Sequence, residues 1–174
     1  MSGTYYPGVD AFLAVVSKRD TRRYADRPVP GEVVERILDA GRLAGSARNG
    51  QPWRFLVVES ADRREQLAGA VYAADNVHGA QLVVAIVGSS GLDGGRCMQN
   101  MMLAAWNDGV VSCPNGIADA EGARAALGLG DDDAVATVLT FGYPERERDP
   151  ERRSPAEWRA RADRKPLDEL VERI

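Results

Sequence analysis

The chain has 174 residues, of which 44% are hydrophobic and 28% are charged, and its formal net charge is −4. A chain of this length can bury a core of its own, so we expect one domain over residues 1–174. The negative net charge argues against a nucleic-acid partner. No apolar run in the sequence approaches the ~20 residues that would span a membrane.

Cysteine and histidine usage narrows the class of protein further. Cys97 and Cys113 are too few for a disulfide framework. The first residues, MSGTYYPGVDAFL, lack a basic region followed by a long apolar run, so we expect a cytoplasmic protein without a signal peptide. The single histidine, His78, has no Cys, Asp or Glu at metal-ligand spacing, and we expect no metal site.

In chain order, the first half of the sequence predicts three helices, one strand and one turn. The helices are Val9–Ser17, Pro30–Leu43 and Ala61–Ala73, the strand is Arg54–Glu59, and the turn is Asp75–Gly79. After the first helix, the segment SKRDTRRY crowds cations around one aspartate; the charged residues are Lys18, Arg19, Asp20, Arg22 and Arg23. This cluster is either a solvated helix end or an anion site, because Arg and Lys are the side chains that hold phosphate.

The segment Gly41–Phe55 carries more polar groups than a helix-to-strand connection needs. Ser46, Asn49 and Gln51 offer hydrogen-bonding side chains, and two glycines let the backbone come close to a ligand. Pro52 restricts the residue before it, which predicts an extended conformation for Gln51. The segment is therefore a candidate ligand-binding loop.

The second half of the sequence predicts the remaining elements of the core. Gln81–Val87 and Ala134–Gly142 are expected as internal strands, Asp93–Asp108 and Asp119–Leu127 as helices, and Gly109–Gly116 as a strand end that runs into a tight turn. Beyond residue 142, acids and bases alternate, which is typical of a solvated or weakly ordered arm. The final segment, RKPLDELVERI, carries Leu167, Leu170, Val171 and Ile174 among its charges, so we expect this apolar tip to dock on its own subunit or on a partner.

Four segments, in this order, resemble the FMN-dependent nitroreductase family. SKRDTRRY is similar to the family's N-terminal basic motif, and GSARNGQPWRF to its P-S-x-x-N-x-Q-P-W segment. DGGRCMQNMMLAAWNDGVVSCPNG resembles its central helix with the turn under the flavin, and RKPLDELV its C-terminal segment. The resemblance implies an α+β fold with three α/β/α layers around a mixed, mostly antiparallel sheet. It also implies an intertwined homodimer whose C-terminal arms, residues 143–174, are exchanged between subunits.

The resemblance further implies tightly bound, non-covalent FMN that takes hydride from NAD(P)H at N5 and serves an acceptor such as a nitroaromatic or a quinone. No protein acid or base is implied. Arg22 is implied to lie near N1 and O2 of the ring, where a cation stabilises the reduced form. The implied FMN-binding residues fall into five groups: Lys18, Arg19, Asp20 and Arg22; Gly45, Ser46, Ala47 and Asn49 from the second subunit; Asn76; Pro114, Asn115 and Gly116 at N5; and Arg164 with Lys165 at the phosphate.

The sequence departs from the family pattern at the basic motif and in the loop. Asp20 stands where the family has serine, and we expect it to pair with Arg19 or Arg22. Gly45 and Ala47 replace a proline and often a second serine, so one side-chain contact is lost.

Two other functions stay open. The R-D-x-R pattern is also similar to flavin-fragmenting enzymes related to 5,6-dimethylbenzimidazole synthase, and a flavin-binding protein without turnover is a further alternative. The connection between Gln81–Val87 and Asp93 is short, where larger family members insert a covering segment. A short connection predicts an open pocket with weak discrimination among acceptors.

Overall fold

The computed structural model describes residues 10–88 and 91–174. The helices are α1 Ala11–Ser17, α2 Gly31–Arg42, α3 Ala61–Gly69, α4 Ala74–Gly79, α5 Leu92–Asn107, α6 Ala120–Leu127 and α7 Pro155–Ala160; the strands are β1 Arg54–Val57, β2 Leu82–Val87, β3 Val111–Asn115 and β4 Val135–Gly142. Contacts divide the described residues into a larger unit, Arg19–Arg148, and a smaller unit formed by residues 10–18 and Asp149–Ile174. The expectation of a single domain over residues 1–174 stays a prediction.

The larger unit is built on a four-stranded sheet in the order β1-β2-β4-β3. All three strand pairs are antiparallel, and an isolated parallel bridge joins Asp20 to Ser112 beside β3. Every residue of β2 is buried, as its uninterrupted apolar run predicts for a central strand.

Helices cover both faces of this sheet. Val84 and Ile86 of β2 face a core shared with α2 and α5, whereas Val83 and Ala85 face a second core shared with α3, α4 and α6. Successive strand residues alternate between the two cores because a strand has a two-residue side-chain period. The predicted three-layer α/β/α fold is confirmed.

Two predicted elements around the middle of the chain are wrong in detail. Helix α3 ends at Gly69 rather than at Ala73, because the carbonyl of Ala70 accepts the amide N–H groups of Ala118 at 2.9 Å and Asp119 at 3.1 Å. The predicted turn at residues 75–79 is the short helix α4. A helix of this length is not stable by propensity alone, and the burial of its Val77 in the second core stabilises it.

The smaller unit contains α1 and α7, which contact each other. Ser154 and Glu157 form a capping box at the start of α7, and the indole N–H of Trp158 donates to the Pro150 carbonyl over 2.8 Å. Of the two predicted alternatives, a solvated or a weakly ordered arm, the mostly exposed side chains here fit the solvated one, while local capping and the tryptophan order the backbone. The apolar tip stays exposed, with Leu167 at 70% and Leu170 at 63%.

No helix within residues 10–88 and 91–174 combines the length and apolar composition that crossing a bilayer requires. Val9, the first residue of the predicted N-terminal helix, lies outside the described residues, as does most of the segment that bears on a signal peptide. Residues 89–90 of the short connection before α5 also lie outside them, so the predicted absence of a covering segment stays a prediction.

Candidate functional site

The basic segment, residues 20–25, is held at both ends by main-chain hydrogen bonds. Near its start, the amide N–H of Thr21 donates to the Ser112 carbonyl over 3.1 Å. At its end, the amide N–H of Ala25 donates to the Tyr143 carbonyl over 2.8 Å. The two arginines between these attachments have exposed side chains on a fixed backbone.

A cavity of about 510 Å³ opens beside the basic segment. Its charged lining residues are Asp20, Arg22, Arg23, Glu145, Arg146 and Arg148. Guanidinium groups outnumber carboxylates in this lining, so the cavity has the donor chemistry of an anion site. We call it the arginine cavity. Asp20 shares this lining with Arg22, and their pairing stays a prediction.

The segment Pro114–Asn115–Gly116 is not the predicted tight turn. Pro114 and Asn115 are the last residues of β3 and pair with Leu139 and Val138 of β4. The strand extends this far because β4 continues opposite it and supplies ladder partners. Gly116 follows directly and is exposed.

The backbone at Gly116 faces an aromatic ring. Its carbonyl accepts the amide N–H of Tyr72 over 3.2 Å. A Cβ atom on Gly116 would lie 3.1 Å from the Tyr72 ring, tighter than ordinary van der Waals contact. Because residue 116 is a glycine, the strand end presents backbone without a side chain.

Behind this strand end lies a buried polar network formed by Tyr24, Thr140, Asn115 and Asn76. The hydroxyls of Tyr24 and Thr140 are 2.8 Å apart. The side-chain amide of Asn115 donates to the Thr140 hydroxyl over 3.2 Å, and its side-chain oxygen accepts from Asn76 over 2.6 Å. The network thus joins the basic segment, both strands of the site and α4.

Burial raises the pKa of the Tyr24 phenol above its ordinary value, although the hydrogen bond with Thr140 acts in the opposite direction. The nearby charges also act on it, since Asp20 raises this pKa and Arg22 lowers it. The phenol is therefore neutral near pH 7 and keeps its proton for hydrogen bonding.

A second cavity, of about 340 Å³, lies at the same strand end. It is lined by Pro114, Asn115 and Gly116 together with residues of α5 and β4, among them Gly94 and Gly95. Its volume lies within the range of small-molecule sites. The strand end therefore borders space that a ligand can occupy.

The loop Gly45–Gln51 is held by hydrogen bonds to itself and to α5. The Ser46 hydroxyl oxygen accepts the amide N–H of Gln51 over 2.9 Å, and its own O–H proton remains a donor. The amide N–H of Ala47 donates to the Asp93 carboxylate over 3.1 Å. The end of the half-exposed Arg96 side chain lies beside Gly45 and would have to shift if that residue carried a Cβ.

The predicted extended conformation of Gln51 is wrong, since its φ is +46°. Arg48 and Asn49 in the same loop also have positive φ, at 53° and 56°. The hydrogen bond to Ser46 and a second one, from the amide N–H of Trp53 to the Gln51 carbonyl over 2.9 Å, hold the turn against the proline's preference. Such strain is commonest where a loop contacts a ligand.

The structure brings only some of the predicted FMN-binding residues together. Arg22 and Asp20 share the arginine cavity, and Asn76 contacts Asn115 directly. Three basic residues, Lys18, Arg164 and Lys165, belong to the smaller unit, and their contribution stays a prediction. Arg164 there donates to the carbonyls of Ala162 at 2.9 Å and Asp163 at 3.3 Å.

The sequence pattern does not single out Tyr24, Thr140 or Tyr72. Tyr24 directly follows the arginines of the basic segment, and that proximity was an available signal. Thr140 lies inside an apolar strand, and its role depends on a partner 116 positions away in the chain. No local pattern could have found it.

Comparisons with known proteins identify the family. The sequence matches the model of the Nitroreductase family over residues 15–93 and 89–143. A protein of Archaeoglobus fulgidus, provisionally named NADH dehydrogenase/NAD(P)H nitroreductase, is 29% identical over 149 residues, which cover 78% of this chain and 86% of that protein. A solved structure from Desulfovibrio desulfuricans, provisionally named a nitroreductase and in complex with FMN, has a TM-score of 0.80 and 27% identity, and the match covers 95% of this chain and 98% of that chain.

A shorter match involves a different activity. 5,6-Dimethylbenzimidazole synthase from Rhodospirillum rubrum is 38% identical over 61 residues, which cover 35% of this chain and 28% of that enzyme. The family match, in contrast, spans well over half of the chain and includes the basic segment, the loop and the β3 strand end. This chain belongs to the nitroreductase family.

Proposed function

We propose that this protein is an FMN-dependent oxidoreductase that uses NAD(P)H to reduce a small-molecule acceptor such as a nitroaromatic or a quinone. One observation carries the proposal: the buried polar network joins the basic segment, which lines the arginine cavity, to the bare backbone at Gly116. A flavin mononucleotide needs cations for its negative charges and close backbone at its ring. The FMN-bound relative from Desulfovibrio desulfuricans supports the choice of cofactor.

The residues present fit this cofactor. The arginine cavity offers guanidinium donors, which suit a phosphate or the negative edge of a reduced ring. Gly116 is exposed and has no side chain, so its backbone is open to close approach by a ring. When bound, FMN would supply a ring that accepts hydride at N5 from NAD(P)H and passes the electrons to the acceptor.

The chain's own contribution is binding and electrostatics. Arg22, on a backbone attached at both ends, would hold negative charge on the ring. Gly116 would present its backbone to the ring, while Pro114 and Asn115 are held by their pairing with β4. No side chain is assigned as acid or base. The single histidine, His78, is at the surface, where its Nε2 lies 3.1 Å from a Glu65 carboxylate oxygen, and it lines neither cavity.

We further propose that the site is completed in a homodimer. The loop Gly45–Gln51 would supply Ser46 and Asn49 to the flavin of the other subunit, as the family resemblance implies. Two features support this arrangement. The loop is exposed and strained, and the apolar tip of the tail, with Leu167 and Leu170 exposed, needs a partner surface.

The test begins with the purified full-length protein. It should be yellow, or should take up added FMN, and NADH or NADPH should bleach the flavin absorbance. Steady-state oxidation of NAD(P)H with menadione or a nitrofuran separates an enzyme from a flavin-binding protein without turnover. Colourless protein that takes up no FMN would overturn the proposal.

Flavin fragmentation is a second candidate, favoured by the 61-residue match to 5,6-dimethylbenzimidazole synthase and by Asp20 in the basic segment. Incubating the protein with reduced FMN and O₂ distinguishes it. Formation of 5,6-dimethylbenzimidazole, detected by mass spectrometry, would support fragmentation. Recovery of intact FMN would exclude it.

A further inference from the structure

The buried polar network connects three elements: the basic segment and the end of β3, which the proposed function assigns to the cofactor, and α4. At one end, Tyr24 directly follows the arginines of the basic segment. In the middle, Asn115 is the last residue of β3 and precedes Gly116. At the far end, Asn76 belongs to α4. Each of these elements comes from a different part of the chain.

The two asparagine side chains of the network are buried, and their amide N–H groups have partners inside the protein. Asn115 is 3% exposed, and its amide nitrogen donates to the carbonyls of Cys113 at 3.1 Å and Val138 at 2.9 Å as well as to Thr140. Asn76 is 4% exposed, and its amide nitrogen donates to the Asn115 side-chain oxygen over 2.6 Å and to the Cys113 sulfur over 3.8 Å. A side-chain amide whose donors are all used inside the protein has none left for a ligand.

The backbone of Asn115 is fixed as well. The Thr137 hydroxyl donates to its carbonyl over 3.0 Å, on top of the ladder with β4. On the other side, the Thr140 O–H donates to the Cys113 carbonyl over 3.1 Å, and the Thr140 hydroxyl oxygen accepts the Tyr24 O–H over 2.8 Å. Since a buried polar group without a partner is costly, the network holds only when all members are in place.

We propose that the buried polar network is a positioning device that sets the separation between the arginines of the basic segment and the backbone of Gly116. This inference rests on the proposed function, because it assigns FMN to both elements. Asn76 then acts through Asn115 as a positioning residue, with its amide nitrogen bonded inside the protein. Tyr24 and Thr140 act in the same indirect way.

The experiment removes single hydroxyls while keeping side-chain shape. Thr140→Val and Tyr24→Phe each delete one member, and Thr140→Ser restores the hydroxyl. Ser112→Ala is the matched control: Ser112 lies on β3, is 0% exposed, and its hydroxyl has no hydrogen-bond partner among the described residues. Three quantities are measured: the Kd for FMN, the flavin midpoint potential, and, in the cofactor-free protein, hydrogen exchange of the amides of Thr21, Ala25 and Tyr72, which bond to the carbonyls of Ser112, Tyr143 and Gly116.

We expect Thr140→Val and Tyr24→Phe to raise the Kd for FMN about five- to tenfold, as for one lost hydrogen bond, and to shift the midpoint potential. In the cofactor-free protein, exchange of the hydrogen-bonded amides of Thr21, Ala25 and Tyr72 should become faster in both variants. Thr140→Ser should return all three quantities close to those of the parent, and Ser112→Ala should leave them unchanged.

Parent-like Kd, potential and exchange in Thr140→Val and Tyr24→Phe would overturn the inference. So would equal changes in Ser112→Ala, because they would reflect general loss of packing. If the parent itself takes up no FMN, the proposed function fails, and exchange in the cofactor-free protein then decides the inference alone. Should Thr140→Val fail to fold, Tyr24→Phe carries the same comparison.

Discussion

Gly142 lies directly under the ring of Tyr24, where a Cβ atom would come within 2.9 Å of the ring's Cγ and Cδ1. The same tyrosine bridges to Pro144 through its backbone and to Thr140 through its hydroxyl. The end of β4 therefore determines where the basic segment sits, by leaving out one side chain and supplying one hydroxyl.

The first prediction concerns this contact. Gly142→Ala should lower the free energy of unfolding by about 1–3 kcal/mol, because the new methyl group must displace Tyr24. Urea unfolding measures the change. Gly130→Ala is the control, since nothing lies within 4 Å of the atom it adds. Equal stability of Gly142→Ala and the parent would show that Tyr24 moves at no cost.

Two further glycine substitutions, both in helices, should change the free energy of unfolding in opposite directions. In α2, a Cβ on Gly41 would lie 2.8 Å from Cγ of Met101 and 3.0 Å from the Phe55 ring, so Gly41→Ala should destabilise by about 1–2 kcal/mol despite the helix propensity of alanine. In α3, nothing lies within 4 Å of the atom added by Gly69→Ala. That variant should stabilise by about 0.5–1 kcal/mol. Thermal and urea unfolding test both, and a stabilising Gly41→Ala would contradict the close contact of α2 with α5.

The role of Arg22 predicts a coupled change in affinity and potential. Arg22→Ala should weaken FMN binding about 10- to 100-fold, as for a lost charge-assisted hydrogen bond. It should also lower the flavin midpoint potential, because the reduced ring loses a nearby cation. Arg42→Ala, which removes an exposed arginine paired with Asp39 on α2, is the control for loss of charge. An unchanged potential in a still-yellow Arg22→Ala protein would refute this assignment.

The strained loop predicts a stabilising substitution. Arg48 has φ 53° and ψ 24°, a left-handed conformation that asparagine tolerates better than arginine. Arg48→Asn should therefore raise the free energy of unfolding by about 0.5–1 kcal/mol. The same change in α6, Arg124→Asn, should lower it by about 0.5 kcal/mol, because asparagine is a poorer helix former. If both variants shift stability in the same direction, backbone conformation is not the cause.

We expect the free energy of unfolding to decrease at alkaline pH. Burial raises the pKa of the Cys97 thiol to about 11, from an ordinary value of 9.0, and burial also raises the pKa of Tyr24. The folded protein then keeps protons that the unfolded chain releases, so stability is fully present below about pH 9 and falls as pH rises through 9 to 11. Urea midpoints at pH 8, 10 and 11 measure this slope.

Cys97→Ala provides the matched comparison for the basic range. This variant should be less stable at pH 8, because removal of the buried thiol leaves a cavity. Its stability should nevertheless fall less steeply above pH 9, because the titrating thiol is gone. A slope equal to that of the parent would remove Cys97 as a source of the decline. Tyr24→Phe should also flatten the slope.

The order of elements and the layer architecture follow from the sequence. The run LVVAIV is apolar without interruption, so it is buried on both faces, and helical periodicity places α2 and α5 over the sheet. The four motif segments predict the family, and they contain Asp20, Arg22 and residues 114–116, which line the two cavities. These features are local, because side-chain period and residue type are read within a few positions.

The tertiary structure alone decided how the site is held. Residues 75–79 form a helix, and Gln51 has positive φ, because contacts made elsewhere outweigh local preference. The network from Tyr24 through Thr140 to Asn115 joins residues far apart in the chain. Such contacts form only when the chain folds, since a buried hydrogen bond depends on the three-dimensional position of both partners and on the exclusion of water around them.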